Sequence, residues 1–293
     1  MSRSLIDSPF MVLVRRELWE HRSLIWAPLG MALAIIVLSV VSGMMHGGID
    51  IRIDGDQPLH TILREAEQQR GLFGLLIGGL MLPQMLVGSV VVFFYLLDCL
   101  FTERRDRSIL FWKSLPVSDA KTVLSKLFVA LVAMPLWIWA LSLVVGLVVF
   151  GVVAAKVAGT PAAALGTWHG GTWLAVQGTL LGEILLGVLW YLPMVGWLVL
   201  VSSLAKRAPL IWATLPFLMV SIAESTALGT RHVAELLERR FEGWADHFSF
   251  GGSLSLSNAQ FKLLTSAELW LGVLVGAALV YAAIRVRRRS DDS

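Results

Sequence analysis

Six stretches of this chain are apolar on every side and long enough to cross a bilayer as helices. They run over residues 24–45, 72–97, 127–155, 173–201, 210–228 and 267–286, each near or above the 20 residues that span about 30 Å of hydrocarbon. A barrel of alternating strands is the rival pattern. Runs such as Leu141-Ser-Leu-Val-Val-Gly-Leu-Val-Val-Phe150 leave no polar face for a lumen, so the pattern predicts an all-α, polytopic membrane protein with six spans forming a single transmembrane domain over 1–293.

Between the spans the periodicity changes. Residues 9–22 place Phe10, Leu13, Val14 and Leu18 at 3/4 spacing with Arg15, Arg16 and Arg22 on other faces, which predicts an amphipathic elbow helix lying on the inner leaflet. Residues 229–266 carry Val233, Leu237, Phe241, Trp244 and Phe248 at the same spacing, a second amphipathic helix ended by Gly251-Gly252-Ser253. The other long segment, 46–71, has an Asp50/Asp54/Asp56 pattern reminiscent of a calcium loop, but Arg52 stands where an oxygen ligand is needed. Calcium is rejected there. Gly-x-x-x-Gly pairs at Gly74/Gly78, Gly178/Gly182 and Gly272/Gly276 fit close packing within the bundle better than a dimer seam. Pro83, Pro135, Pro193 and Pro216 fall inside spans, where they predict bends.

Composition agrees with the pattern: 56% hydrophobic residues, 15% charged, mean hydropathy +0.73. Charge then supplies orientation. With both termini inside, 16 of the 24 Lys and Arg lie on the cytoplasmic side, so the positive-inside rule favours N-in, C-in topology with 46–71 and 229–266 outside. The basic balance is thereby accounted for by membrane lipid rather than nucleic acid. The first span is followed by no convincing cleavage site, so a retained anchor in a bacterial plasma (inner) membrane is expected. A single cysteine, Cys99, excludes an intrachain disulfide.

One segment departs from a simple connecting loop. In FTERRDRSILFWKSLPVSDAKTVLSK, residues 101–126, a charged run at 103–107 precedes Ile109-Leu-Phe-Trp112, Pro116 ends the helix, and Ser118-Asp119 can cap the next one. Aromatic residues rimmed by charge suggest a docking surface. Here the chain resembles the permease subunits of ABC-2-type ATP-binding-cassette transporters, in the Glu103-Arg104 pair, Ser108-Ile109-Leu110, Pro116-Val117-Ser118 and Lys126; Arg107 stands where that family often has glycine. The resemblance implies that 101–118 is a cytoplasmic coupling helix and that Glu103, Arg104, Arg105, Asp106, Ser108, Phe111 and Trp112 contact a separate ATPase subunit, present in two copies, with Pro116 fixing the lever angle. It also implies pairing with a second permease copy or a paralogue.

This chain has no Gly-x-x-x-x-Gly-Lys-Ser/Thr, so it carries no ATPase motif, binds no cofactor directly, and would depend on ATP held by its partner. No His-Glu-x-x-His or Gly-x-Ser-x-Gly occurs, the six histidines lie outside the spans, and His232 with Glu235 is too few ligands for zinc, so neither a catalytic nor a metal site is expected. Two acids within spans, Glu183 and Glu224, are candidates for a transport path. The expectation is an exporter of an amphipathic or hydrophobic solute, peptide or lipid. A non-transporting subunit that passes ATPase motion to an outer partner is the alternative, and an intramembrane enzyme a more distant one.

Overall fold

The computed structural model describes residues 8–45, 66–106, 117–159, 163–247 and 262–289. Every regular element among them is a helix. The chain runs through α1 (Pro9–Glu20), α2 (Ser23–Met45), α3 (Ala66–Gly79), α4 (Met81–Asp98), α5 (Phe101–Arg105), α6 (Asp119–Phe128), a π-turn (Val129–Ala133), α7 (Met134–Val157), α8 (Gly170–Trp190), α9 (Leu192–Leu204), α10 (Pro209–Ala227), α11 (His232–His247) and α12 (Ala267–Arg289). Six helical stretches are long and apolar enough to cross a membrane: Ser23–Met44, Arg70–Arg105, Asp119–Val157, Gly170–Trp190, Pro209–Ala227 and Ala267–Arg289. The segment 107–116, which holds Ser108, Phe111, Trp112 and Pro116, lies outside the described residues, as do 46–65 and 248–261.

Prolines decide where the long helices deviate. Pro135 has no N–H to offer, and the strain is absorbed just before it by the π-turn, across which Met134 donates to the Val129 carbonyl. Pro193 acts more sharply. The stretch 173–201, expected as one span, is two helices that meet at Tyr191, whose φ of −84° and ψ of 3° leave helical geometry while its N–H still bonds back to Gly187. Placed at the second position of α9, Pro193 is tolerated because that N–H would be unpaired anyway.

The break frees α9 to lie against α12 at backbone distance. A Cβ added at Gly196 would stand 2.7 Å from the Gly276 carbonyl oxygen, and one at Gly276 would meet the Leu192 carbonyl at 2.7 Å. Gly272 and Gly276 are therefore an intramolecular seam, whereas a Cβ at Gly178 would meet nothing within 4 Å. The largest cluster of buried apolar side chains, including Leu24, Leu96, Leu100, Val123, Met134, Val199 and Ala283, joins α2, α4, α6, α7, α9 and α12 at the end of the bundle where α1 packs, termed here the basal end. A second cluster of Phe73, Ile77, Met81, Ile138, Phe150, Val176, Leu180 and Ile184 joins α3, α4, α7 and α8.

The second amphipathic helix is present as α11, but with one face reassigned. Val233 and Leu237 are half-buried as expected, yet Phe241 is 56% exposed and Arg240, expected on the polar face, turns inward. Its guanidinium stacks 4.4 Å from the Trp190 ring centroid over Gly272, where a Cβ would sit 1.8 Å from an Arg240 nitrogen. Trp190 in turn donates its indole N–H to the Arg240 carbonyl at 3.0 Å. A glycine floor and an aromatic wall thus make room for a charge that periodicity alone assigns to solvent.

Replacing Gly276 by valine should lower the thermal unfolding midpoint of the detergent-solubilised protein by the equivalent of about 1–3 kcal/mol, the usual cost of overpacking. Gly178→Val, with open space around it, is expected to leave the midpoint nearly unchanged in the same assay.

Candidate functional site

The most concentrated chemistry among the described residues is a buried charge network at the basal end. Glu17 of α1 is 0% exposed, Glu103 of α5 6%, Lys126 of α6 2% and Arg287 of α12 3%. Each is delivered by local structure. Ser8 caps α1 and fixes its register, putting Glu17 on the same side as Leu13 and Val14. Ser118 caps α6 with its hydroxyl accepting from Lys121 N–H at 3.4 Å, which places Asp119 at the positive helix end as anticipated.

The pairing is dense. The Lys126 ammonium donates to both Glu17 oxygens at 2.8 Å and approaches Glu103 Oε1 at 3.0 Å, so its three protons face three carboxylate oxygens. Arg16 Nη2 bonds Glu103 Oε1 at 2.9 Å and also lies 3.3 Å from Glu17. Arg287 reaches the other Glu103 oxygen through Nη1 and Asp119 Oδ1 through Nε at 3.1 Å. Tyr95 adds its hydroxyl to Glu17 at 3.2 Å. Three cations, Arg16, Lys126 and Arg287, meet the carboxylates of Glu17, Glu103 and Asp119, and Arg16 also pairs with the more exposed Glu20 at 2.9 Å. Burying such charges is tolerable only with this degree of compensation.

Two neighbours outside the spans register the field. Burial works against the charge on Arg16, but its hydrogen bond to Glu20 and the fields of Glu17, Glu20 and Glu103 prevail and hold its pKa above the ordinary value. His21, half-buried and edge-on to Tyr95 at 4.9 Å, is pushed below its usual pKa chiefly by desolvation, with Lys126 adding to the effect against the opposing carboxylates. Glu17, Glu20 and His21 are the one trio among the described residues close enough to share a metal ion. Lys126 and Arg16 already occupy Glu17, and Arg16 occupies Glu20, so the trio is a poor cation site.

The residues expected to contact an ATPase divide into two groups. Glu103 is turned inward as the hub of the network, and Arg104 donates to the Ser202 and Ala205 carbonyls at 2.8 Å each, closing the end of α9. The Ser202 hydroxyl returns to accept from Leu100 and Phe101 N–H at 3.1 Å. Both side chains are committed within the chain. Arg105 and Asp106 are exposed and pair with each other at 3.0 Å, and Ser108, Phe111, Trp112 and Pro116 fall outside the described residues.

The two intramembrane acids also separate. Glu183 is buried on α8, as are Leu180, Ile184 and Leu186. Glu224 is spent on structure instead. Its carboxylate accepts from His232 N–H at 2.7 Å, Val233 N–H at 2.9 Å and the Thr230 hydroxyl at 2.9 Å, capping α11 from the end of α10. Neither acid belongs to the basal network. Periodicity held one clue to that network: Glu17 interrupts the apolar stripe of α1, a charge where the face is otherwise oily.

With this geometry established, comparison with known proteins adds no relative: no family model matches the chain, and no curated protein or solved structure is significantly similar to it.

Lys126→Met should destabilise the protein by about 3–5 kcal/mol, since it removes the cation that Glu17 and Glu103 share in a buried site. Combined with Glu17→Gln the loss should be smaller than the sum of the single losses, a coupling readable in a double-mutant cycle of denaturant or thermal unfolding.

His21 gives a pH signature with a defined sign. Its folded pKa is below the unfolded value of about 6.5, so above that value it contributes no pH dependence. As pH falls below about 6.5 the unfolded chain binds a proton that the folded chain resists, and stability drops until the folded pKa is passed. His21→Phe, which keeps an edge contact to Tyr95, should flatten that part of the stability profile.

Proposed function

We propose that this chain is the membrane-spanning permease subunit of an ATP-driven exporter of the ABC-2 type, worked by a separate ATPase subunit that docks on the segment beginning at residue 101. The observation that carries the reading is Glu103, through which the root of that segment is tied at once to α1, α6 and α12. A lever transmits force only if its base is fixed to what must move, and here the base is held by charge pairs to α1, α6 and α12. Force applied beyond residue 105 would tilt these elements together rather than bend a loop.

Other features support the same reading. The basal end gathers the basic residues of the positive-inside pattern, which supports reading it as the cytoplasmic side of an N-in, C-in chain in a bacterial plasma membrane. On the outer side of α1, Trp19 is exposed with the Arg15 guanidinium 4.9 Å from its ring, an arrangement suited to lipid headgroups and to the elbow role. ATP is bound by the partner, and the chain works as a pair with itself or a paralogue. Glu183 remains the acid best placed for a transport path, while Glu224 is assigned to capping.

Docking should depend on the exposed Arg105 and on the segment that follows it, not on the hub. Arg105→Glu with Trp112→Ala is expected to abolish co-purification of the ATPase at least tenfold while membrane insertion and thermal stability stay at wild-type levels. Unchanged co-purification would sink the docking role. In reconstituted vesicles holding both subunits, ATP-dependent solute movement distinguishes an exporter from a subunit that only relays motion.

A further inference from the structure

Where α1 gives way to α2 the surface forms an open groove of about 610 Å³, lined by Val12, Arg15, Arg16, Trp19, Glu20 and Arg22. Its charges are not equivalent. Arg16 is committed, with Nε donating to Glu20 Oε1 and Nη2 to Glu103 Oε1 at 2.9 Å each, so the one carboxylate in the groove already has its cation. Arg15 and Arg22 are exposed, and among the described residues neither forms an ion pair. The groove thus offers two guanidinium groups that no carboxylate of the chain neutralises. Trp19 stands between them in sequence, with the Arg15 guanidinium 4.9 Å from its ring centroid.

The apolar surroundings say which kind of anion fits. Trp19 and Trp26 are 66% and 65% exposed, so neither ring is part of the core. From Trp26 an exposed apolar stripe runs up α2 through Leu33, Val37, Val41 and Met44, at helical spacing that keeps it on one face. The stripe begins one turn beyond Arg22. A molecule with its head in the groove therefore has an oily track for its tails. Guanidinium groups match phosphate oxygens in bidentate fashion, and tryptophan rings favour the depth of lipid headgroups. Free phosphate has no use for the stripe, whereas a diacyl phospholipid uses both parts. A headgroup ending in an ammonium would add a cation where two are already in excess; a phosphoglycerol headgroup adds none.

We propose that the groove at the α1–α2 joint is a discrete site for one anionic diacyl phospholipid, its phosphodiester held by Arg15 and Arg22 and its acyl chains laid along α2 from Trp26. Arg16 links this site to the basal network, because the guanidinium that lines the groove is the one paired with Glu103. A ligand that binds only the folded chain also stabilises it, so occupancy should be felt as resistance to unfolding. The site rests on the reading of α1 as an elbow at the membrane surface, not on the chain's being an exporter.

The test uses the full chain in a neutral detergent, with dioleoylphosphatidylglycerol as probe and dioleoylphosphatidylcholine as the zwitterionic comparison. Native mass spectrometry counts bound lipid, and thermal unfolding reads its effect. One phosphatidylglycerol is expected to bind about tenfold more tightly than phosphatidylcholine and to raise the unfolding midpoint. Arg15→Gln with Arg22→Gln should weaken its binding about tenfold, the effect of losing charge-assisted hydrogen bonds, and abolish the rise. Lys206→Gln with Arg207→Gln removes the same charge from another exposed stretch and should change neither. Should the first glutamine pair fail to fold, Arg15→Lys with Arg22→Lys decides, since it keeps the charge but loses the planar fork; weakened binding supports the clamp and wild-type binding overturns it. The proposal is also overturned if the two lipids bind alike, which would leave the groove to an acidic protein segment, or if both glutamine pairs lose binding equally, which would mean diffuse surface charge. Full displacement of the lipid by inorganic phosphate would overturn it in favour of a soluble anion. Failure of ATPase co-purification would count against the permease reading and leave this result untouched.

Discussion

Glu103 shares its two oxygens among Arg16, Lys126 and Arg287, and the basal half of the protein is arranged around the need to keep that carboxylate paired. A lone carboxylate in this position would be intolerable, and a lone lysine equally so. Together with Glu17 and Asp119 they form a network in which every buried charge has an opposite partner. Ion pairs of this kind contribute less to raw stability than apolar packing of the same volume would. What they add is geometry: carboxylate and guanidinium groups accept partners only in particular directions, so α1, α5, α6 and α12 are held in one register.

That register explains why the neighbouring apolar packing is consistent on all sides. Val123, Leu100, Val199 and Ala283 belong to the buried apolar cluster at the same end of the bundle, and the charged side chains of the network are themselves almost wholly buried. Dryness strengthens the pairs, and the pairs prevent the oily helices from sliding along one another, a freedom that lipid-like side chains do not themselves restrict. On the α10 side Glu224 performs a smaller version of the same task, using a carboxylate to fasten a surface helix to the top of a span.

The helical class, the six spans, α1 and the Ser118 cap were legible from periodicity, because each depends on residues within a turn or two of one another. The network was not. Arg16 and Glu103 are 87 residues apart and Glu103 and Arg287 are 184 apart, and a charge adjacent to a positive-inside loop looks solvated until its partners are known. Resemblance to a transporter motif drew attention to Glu103 and Arg104 but implied an outward role, whereas their side chains bond within the chain. Glu224 escaped for a related reason, since a cap supplied from eight residues upstream leaves no local signature. Arg240 turned inward only because Gly272 and Trp190 offer it a place, which is a property of tertiary contact. The split at Tyr191 was foreshadowed by Pro193 but not its completeness.

That split gives the two halves of one hydrophobic stretch different allegiances. The half before Tyr191 shares its apolar core with α3 and α7, and the half after it is clasped by α12 through glycines that admit no slack. A continuous rod would have forced both neighbourhoods to rotate as one. Divided, the stretch lets each half take its direction from its own neighbours, so the clasp on α12 does not dictate how α8 meets the core of α3 and α7.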